Sequence, residues 1–231
     1  MGNWQSQTFF TRKAEGTLPR VHPERFLQKH RDDEWAGKRV FIVGGGPSLN
    51  GLDLGKLEGE LVIGINMAFR AVECTLNYFG SVLLMMAIQR EPDFRLLEEK
   101  CCLEAMVWNT KTTFGCSVIE SVDKRQSAYG YGLRSGLPVF SNSGLVAINL
   151  ADILGAEEIF LLGFDLNPRK DGGTQNWHTW YSPKITPKGN RYRDYVDEFE
   201  KTAPFIRAKV WNCSHVSKLQ CFPAANYHEL F

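Results

Sequence analysis

His178 and Tyr181 sit in an aromatic cluster, Trp177-His178-Thr179-Trp180-Tyr181, and Asp165 stands a short way before them. An imidazole titrates near neutrality and can take a proton from an acceptor hydroxyl. A phenol can donate to a departing phosphate. A carboxylate can bind a ribose, hold a metal or position the acceptor; capping or a structural hydrogen bond is its plainer use. The catalytic expectation is therefore His178, Tyr181 and Asp165. A minicore that pins the loop is the alternative for the aromatics. His215, after Asn212-Cys213-Ser214, is the competing base.

The ligand-binding candidates precede these residues. The apolar run Arg39-Val40-Phe41-Ile42-Val43 stops at Gly44-Gly45-Gly46-Pro47-Ser48-Leu49. A strand ending in glycines can present bare backbone N–H groups to an anion, and proline suits the first position of a following helix. Gly44 and Gly46 fit a dinucleotide fingerprint, but Leu49 stands where its third glycine belongs, and no Walker lysine follows. A glycine turn needed for close packing is the competing explanation. Asn66, after Leu61-Val62-Ile63-Gly64-Ile65, can meet a nucleobase edge or a ribose hydroxyl, or simply make an Asx turn. Asn142, Ser143 and Gly144 open an apolar stretch, where capping and ligand binding are compatible. Gly163 and Asp165 end a further buried run, Glu158-Ile159-Phe160-Leu161-Leu162.

The elements that must position these residues alternate between strand and helix. Strands are expected at Arg39–Val43, Leu61–Ile65, Thr75–Phe79, Glu104–Trp108, Glu158–Leu162 and Ala208–Trp211. The apolar segment Val82–Ile88 fits a strand extension or a helix start. Helices are expected at Pro92–Lys100, Leu145–Leu154 (ended by Gly155) and Arg191–Thr202. Residues 109–137 read as loop with short elements. The fold class is α/β: a Rossmann-like, mostly parallel sheet with helices on both faces and a long lid loop at about 166–190. Residues 1–37 read as an N-terminal arm, and 38–231 as the nucleotide-binding catalytic domain. In such sheets, ligands lie outside the carboxyl ends of the strands, where the four polar strand exits converge.

The 231 residues suit one sizeable α/β domain. A net charge of +1 excludes a global basic field for nucleic acid, although Lys184, Lys188, Arg191 and Arg193 form a local basic group. No apolar run approaches the ~20 residues of a membrane helix, and residues 1–20 lack a signal-peptide core. The six cysteines show no metal-ligand spacing. The expectation is a reduced, cytoplasmic protein, with a homo-oligomer left open.

Taken together, Gly45-Gly46-Pro47-Ser48-Leu49, Asn66, Asn142-Ser143-Gly144 with Ala147-Ile148 and Leu154-Gly155, Glu158 to Asp165, and Asn212-Cys213-Ser214 to Phe222-Pro223 resemble a superfamily. It comprises the family 42 sialyltransferases and the MptE-like proteins, which include phage-encoded members. The resemblance covers about residues 38–225. It implies a nucleotide held by Gly46, Pro47, Ser48, Asn66, Ser143 and Gly144, with Tyr181 and His178 as analogues of lid residues. Leu166 and Asn167 replace a tyrosine of the sialyltransferases, which argues against sialic acid as the donor sugar. The leading expectation is a glycosyltransferase-like enzyme using a nucleotide sugar as donor substrate and an acceptor hydroxyl, on a glycan or a modified nucleic acid. A Mg²⁺-dependent diphosphokinase, drawing on Asp165 and Asp171, is the first alternative. A non-catalytic nucleotide-binding module is the second. No cofactor is certain, Mg²⁺ remains open, and no metal site is assigned.

Overall fold

The computed structural model describes residues 30–79, 101–105, 117–122, 137–138, 142–167, 176–178 and 191–231. Among the described residues the strands are β1 (Arg39–Val43), β2 (Leu61–Ile65), β3 (Leu76–Phe79), β4 (Cys101–Ala105), β5 (Ser117–Val122), β6 (Leu137–Pro138), β7 (Glu158–Leu162) and β8 (Lys209–Asn212). They form one sheet in the order β6-β5-β4-β3-β2-β1-β7-β8. Every pairing is parallel. The chain starts in the middle and walks to one edge. It then crosses back, placing β7 and β8 on the other side of β1. The switch point therefore falls between β1 and β7, whose last paired residues are Val43 and Leu162.

Parallel strands covered on both faces need apolar residues at every position. In β1, Val40 and Ile42 enter one core cluster, whereas Phe41 and Val43 enter the other. β7 repeats the division, with Ile159 and Leu161 on the first face and Phe160 and Leu162 on the second. Burying one such side chain contributes about 1.5–3 kcal/mol relative to exposure. On the first face lies helix α1 (Ser143–Ile153), buried without interruption from Leu145 to Ile153. A helix apolar all round belongs in an interior. Gly155 ends it in the left-handed region at φ +90. A Cβ there would lie 2.7 Å from Asp33 Cα. Asp33 and Trp35 donate backbone hydrogen bonds to Ile153 and Leu154 at 3.0 and 2.6 Å, so this end of the expected arm docks on α1. Helix α2 (Arg191–Thr202) is amphipathic and buries Phe199 against the same face. The second face is covered, among the described residues, by Leu49, Leu57 and the C-terminal segment around Tyr227.

One expectation shifts. The strand expected at Glu104–Trp108 lies at Cys101–Ala105. The stretch 109–137, read as loop with short elements, contains β5 and the start of β6. Val82–Ile88, Pro92–Lys100 and residues 1–29 fall outside the described residues.

Candidate functional site at the strand exits

The exits of β1 and β7 are stitched to each other. Gly44 N–H donates to Leu162 C=O, and Gly46 N–H to Gly163 C=O, both at 2.8 Å. Asp165 accepts from Ser48 N–H at 2.9 Å through Oδ2, and from the Ser48 hydroxyl through Oδ1. The loop therefore does not present the row of bare N–H groups that its glycines suggest. The protein itself uses those of Gly44, Gly46 and Ser48, because β1–β7 pairing continues past the strands and Asp165 accepts at the start of the 3-10 turn Pro47–Leu49. A carboxylate at that end also meets the positive pole of the turn.

Close approach explains the glycines. A Cβ at Gly44 would lie 2.8 Å from Gly163 O. One at Gly46 would lie 2.5 Å from the Asp165 carboxyl group and 2.7 Å from Gly163 O. Gly163 itself has φ +72, which favours glycine. Gly45 faces another way, with Asn176 Oδ1 3.1 Å from where its Cβ would stand.

That contact belongs to the segment 176–178, which lies over the loop. Trp177 N–H donates to Gly45 C=O at 2.9 Å, and the Trp177 side chain leans on the second core cluster. His178 is thereby brought to the glycine loop and buried, with 7% exposure. Its ring meets the edge of Trp177, with centroids 5.0 Å apart. Burial first, and then the charge of Arg70, lower its pKa to about 4, so the imidazole is neutral at pH 7. The rival base, His215, is exposed. Tyr181 falls outside the described residues, as does most of the lid expected at 166–190.

Asn66 joins from the β2 exit. β1 and β2 pair in parallel up to Val43 and Gly64, so Asn66 leaves the sheet at the same end as the glycine loop. Asn66 adopts φ +55, a region that asparagine tolerates. Asn77, fully buried in β3, holds it there by donating from Nδ2 to the Asn66 carbonyl at 3.0 Å. The Asn66 Oδ1 is buried and has no hydrogen-bond partner among the described residues. The 3-10 helix that starts at Asn66 ends at Arg70.

Asn142 caps α1 by accepting from Leu145 N–H at 2.9 Å, and its Nδ2 donates to Glu198 of α2 at 3.0 Å. A Cβ on Gly144 would lie 2.7 Å from Phe164 and 3.0 Å from Phe199. The α1 N-terminus is thus pressed against the residue between Gly163 and Asp165. A C-terminal staple fixes that residue from the other side. Phe164 N–H donates to Ser214 Oγ at 2.8 Å, and Ser217 Oγ–H donates to Phe164 C=O at 2.6 Å.

At 15% sequence identity, the chain is similar in structure to the MAf glycosyltransferase of Magnetospirillum magneticum AMB-1, with a TM-score of 0.57. The match covers 94% of this chain and 36% of that one. The two share an α/β fold. A second similar structure is the Campylobacter jejuni sialyltransferase CstII in complex with cytidine-5′-monophosphate, at a TM-score of 0.49 and 14% identity, covering 83% of this chain and 88% of that one. Neither a protein-family model nor a curated protein matches the sequence.

Two residues of the site escape sequence reading. Arg70 is the charged group that acts on His178. Tyr192, in the first turn of α2, feels Asp165; burial, then Tyr195, then Asp165 raise its pKa, so the phenol stays protonated as a donor. Among the described residues no cluster of His, Cys, Asp or Glu fits a metal ion, and no helix is long and apolar enough to cross a membrane. Burial pushes the Cys213 thiol up to about 12 and the Cys221 thiol up to about 11, which removes both as nucleophiles.

Proposed function

We propose that the chain is a glycosyltransferase-like enzyme that takes a nucleotide sugar at the β1/β7 switch point and passes the sugar to an acceptor hydroxyl. The observation that carries this reading is the buried, neutral His178, laid over the glycine loop at the point where the sheet order reverses. The fold shared with the MAf glycosyltransferase supports it.

In this reading the nucleotide lies across Gly45, Asn66 and the α1 N-terminus. The unpartnered Asn66 Oδ1 would accept from a base or ribose donor. Ser143 and Gly144 would offer N–H groups to the donor. Asp165 would serve by holding Gly46-Pro47-Ser48 in shape. The acceptor hydroxyl gives its proton to His178, and its oxygen bonds to the anomeric carbon. The bond from that carbon to the donor phosphate oxygen breaks, and the nucleotide leaves with the electron pair. Tyr192 and Tyr181 are the donors offered to that leaving group.

A panel of nucleotides and nucleotide sugars, scored by thermal shift and then by sugar transfer, tests the proposal. At least one nucleotide should raise the melting temperature, and His178→Ala should lower turnover by about 10²–10⁴-fold while leaving binding intact. Indifference to every compound overturns the proposal. Release of AMP from ATP with a pterin alcohol would instead favour the MptE-like diphosphokinase, with Mg²⁺ as its ion.

A further inference from the structure

β3 is buried along its whole length, and Asn77 is the one aliphatic polar side chain in it, with no exposure at all. A buried amide costs free energy unless its hydrogen bonds are made. Asn77 makes one, from Nδ2 to the Asn66 carbonyl at 3.0 Å, and its Oδ1 has no partner among the described residues. The neighbouring strand gives way to admit it. Gly64 of β2 pairs with Asn77 in register, and a Cβ on Gly64 would collide with Asn77 Oδ1 and Cys74 Sγ. Packing alone favours an apolar residue at 77 and a β-branched one at 64. Both positions are given over to a single hydrogen bond on Asn66. That residue is left-handed, at φ +55, where β2 turns into the 3-10 helix Asn66–Arg70. Glycine would take this turn unaided but would bring no side chain. Asn66 brings an amide, and its Oδ1 is buried without a hydrogen-bond partner among the described residues. A carbonyl oxygen needs a donor. The phosphates of a nucleotide sugar have no proton to give near neutrality, whereas a base N–H or a ribose hydroxyl does.

We infer that Asn77 is a positioning residue for nucleotide recognition: it holds Asn66 in its left-handed turn so that the Asn66 amide meets the nucleoside part of the ligand and not the phosphate. The inference rests on the nucleotide-transfer reading of this site. Gly64 is the third member of the device, since it leaves the space through which the Asn77 side chain crosses to Asn66. Asn77 lies in the sheet, behind the turn, and acts on the ligand only through Asn66. The amide is set before the ligand arrives, so binding loses less freedom in ordering it.

The test uses the full-length chain, the four ribonucleosides and their 5′-monophosphates, with affinities read by calorimetry and by competition where they are weak. Asn77→Leu keeps the branched shape and loses the donor. It should weaken the best nucleoside and its monophosphate by the same factor, about tenfold or more, so the ratio between the two stays within about twofold of wild type. Asn66→Gly takes the turn unaided but lacks the amide, and should lose as much. Adding Asn77→Leu to Asn66→Gly should then cost no more than about twofold, because the residue it acts through is already gone. A merely structural Asn77 would alter melting temperature without this dependence on Asn66. Asn77→Thr, whose β-branched side chain suits a strand, runs through the same cycle if Asn77→Leu fails to fold. Three results each overturn this inference alone: affinity in the folded Asn77 variant within twofold of wild type, an undiminished loss in the Asn66→Gly background, or a loss confined to the monophosphate. Failure of the wild type to bind any nucleoside or monophosphate overturns the transfer reading, and this inference with it.

Discussion

Asp152 and Asp165 are both buried carboxylates, and they stand at opposite ends of the same sheet. Asp152 lies at the C-terminal end of α1. It accepts from Arg207 N–H at 3.0 Å, Ala208 N–H at 2.7 Å and Arg207 Nε at 3.3 Å. Every partner belongs to the connection that leads into β8. Asp165 lies at the carboxyl ends of the strands, and its side-chain partners are the N–H and hydroxyl of one serine, 117 residues away. One carboxylate closes a connection at the amino end. The other shapes the glycine loop of the candidate site. The same chemistry serves stability at one end and site geometry at the other.

Asp152→Ala is the strongest way to break this comparison. It strands the Arg207 and Ala208 backbone N–H groups, and should cost about 3 kcal/mol in a denaturant titration. Nucleotide affinity of the folded variant should stay within about twofold. A loss of affinity as large as the loss of stability would show that the two ends are not separate.

Acid sharpens the contrast, because the strand exits hold a buried neutral base. The folded pKa of His178, about 4, lies below the ordinary 6.5. The unfolded chain therefore binds more protons in that interval, and stability rises with pH. The contribution is complete above about pH 6.5 and drains away as pH falls towards 4, at up to about 3 kcal/mol. Urea midpoints at pH 7 and pH 4.5 measure it. His178→Phe should flatten most of the difference, and an unchanged slope would count against the buried imidazole.

Asp165→Ala should be milder for the fold and harsher for the ligand. The buried Ser48 N–H and hydroxyl lose their acceptors, at about 2 kcal/mol. Nucleotide affinity should drop by tenfold or more, since Gly46-Pro47-Ser48 loses its brace. Calorimetry with the best monophosphate from the panel reads the second effect directly.

Local pattern carried much of this architecture. β7 runs over the residues expected from its apolar run between Gly155 and Gly163. α2 matches its amphipathic period from Arg191 to Thr202. β5 was hidden because Ser117-Val118-Ile119-Glu120-Ser121-Val122 has neither strict alternation nor an unbroken apolar run, and so reads like its polar surroundings. At the site, the candidate residues were legible as strand exits, but the use of their donors was not. Whether Gly44 and Gly46 offer N–H groups depends on the β7 exit, which arrives more than a hundred residues later. Arg70 carried no motif that would tie its charge to His178.

The smallest effect separates capping from ligand duty at the α1 N-terminus. Asn142 does two jobs, accepting from Leu145 N–H and donating to Glu198. Asn142→Ala loses both and should cost about 1 kcal/mol. Asn142→Ser keeps the cap and loses the reach to α2, so it should recover most of that stability. The nucleotide should tell the two jobs apart. If the α1 N-terminus touches the ligand only through Ser143 and Gly144, both variants bind within about threefold of wild type. If the bond to Glu198 also sets how α2 and Tyr192 face the site, Asn142→Ser binds as weakly as Asn142→Ala despite its restored fold. That result would extend the site's frame from the β1 and β7 exits to α2, and leave the amino end of the sheet as the region concerned with stability alone.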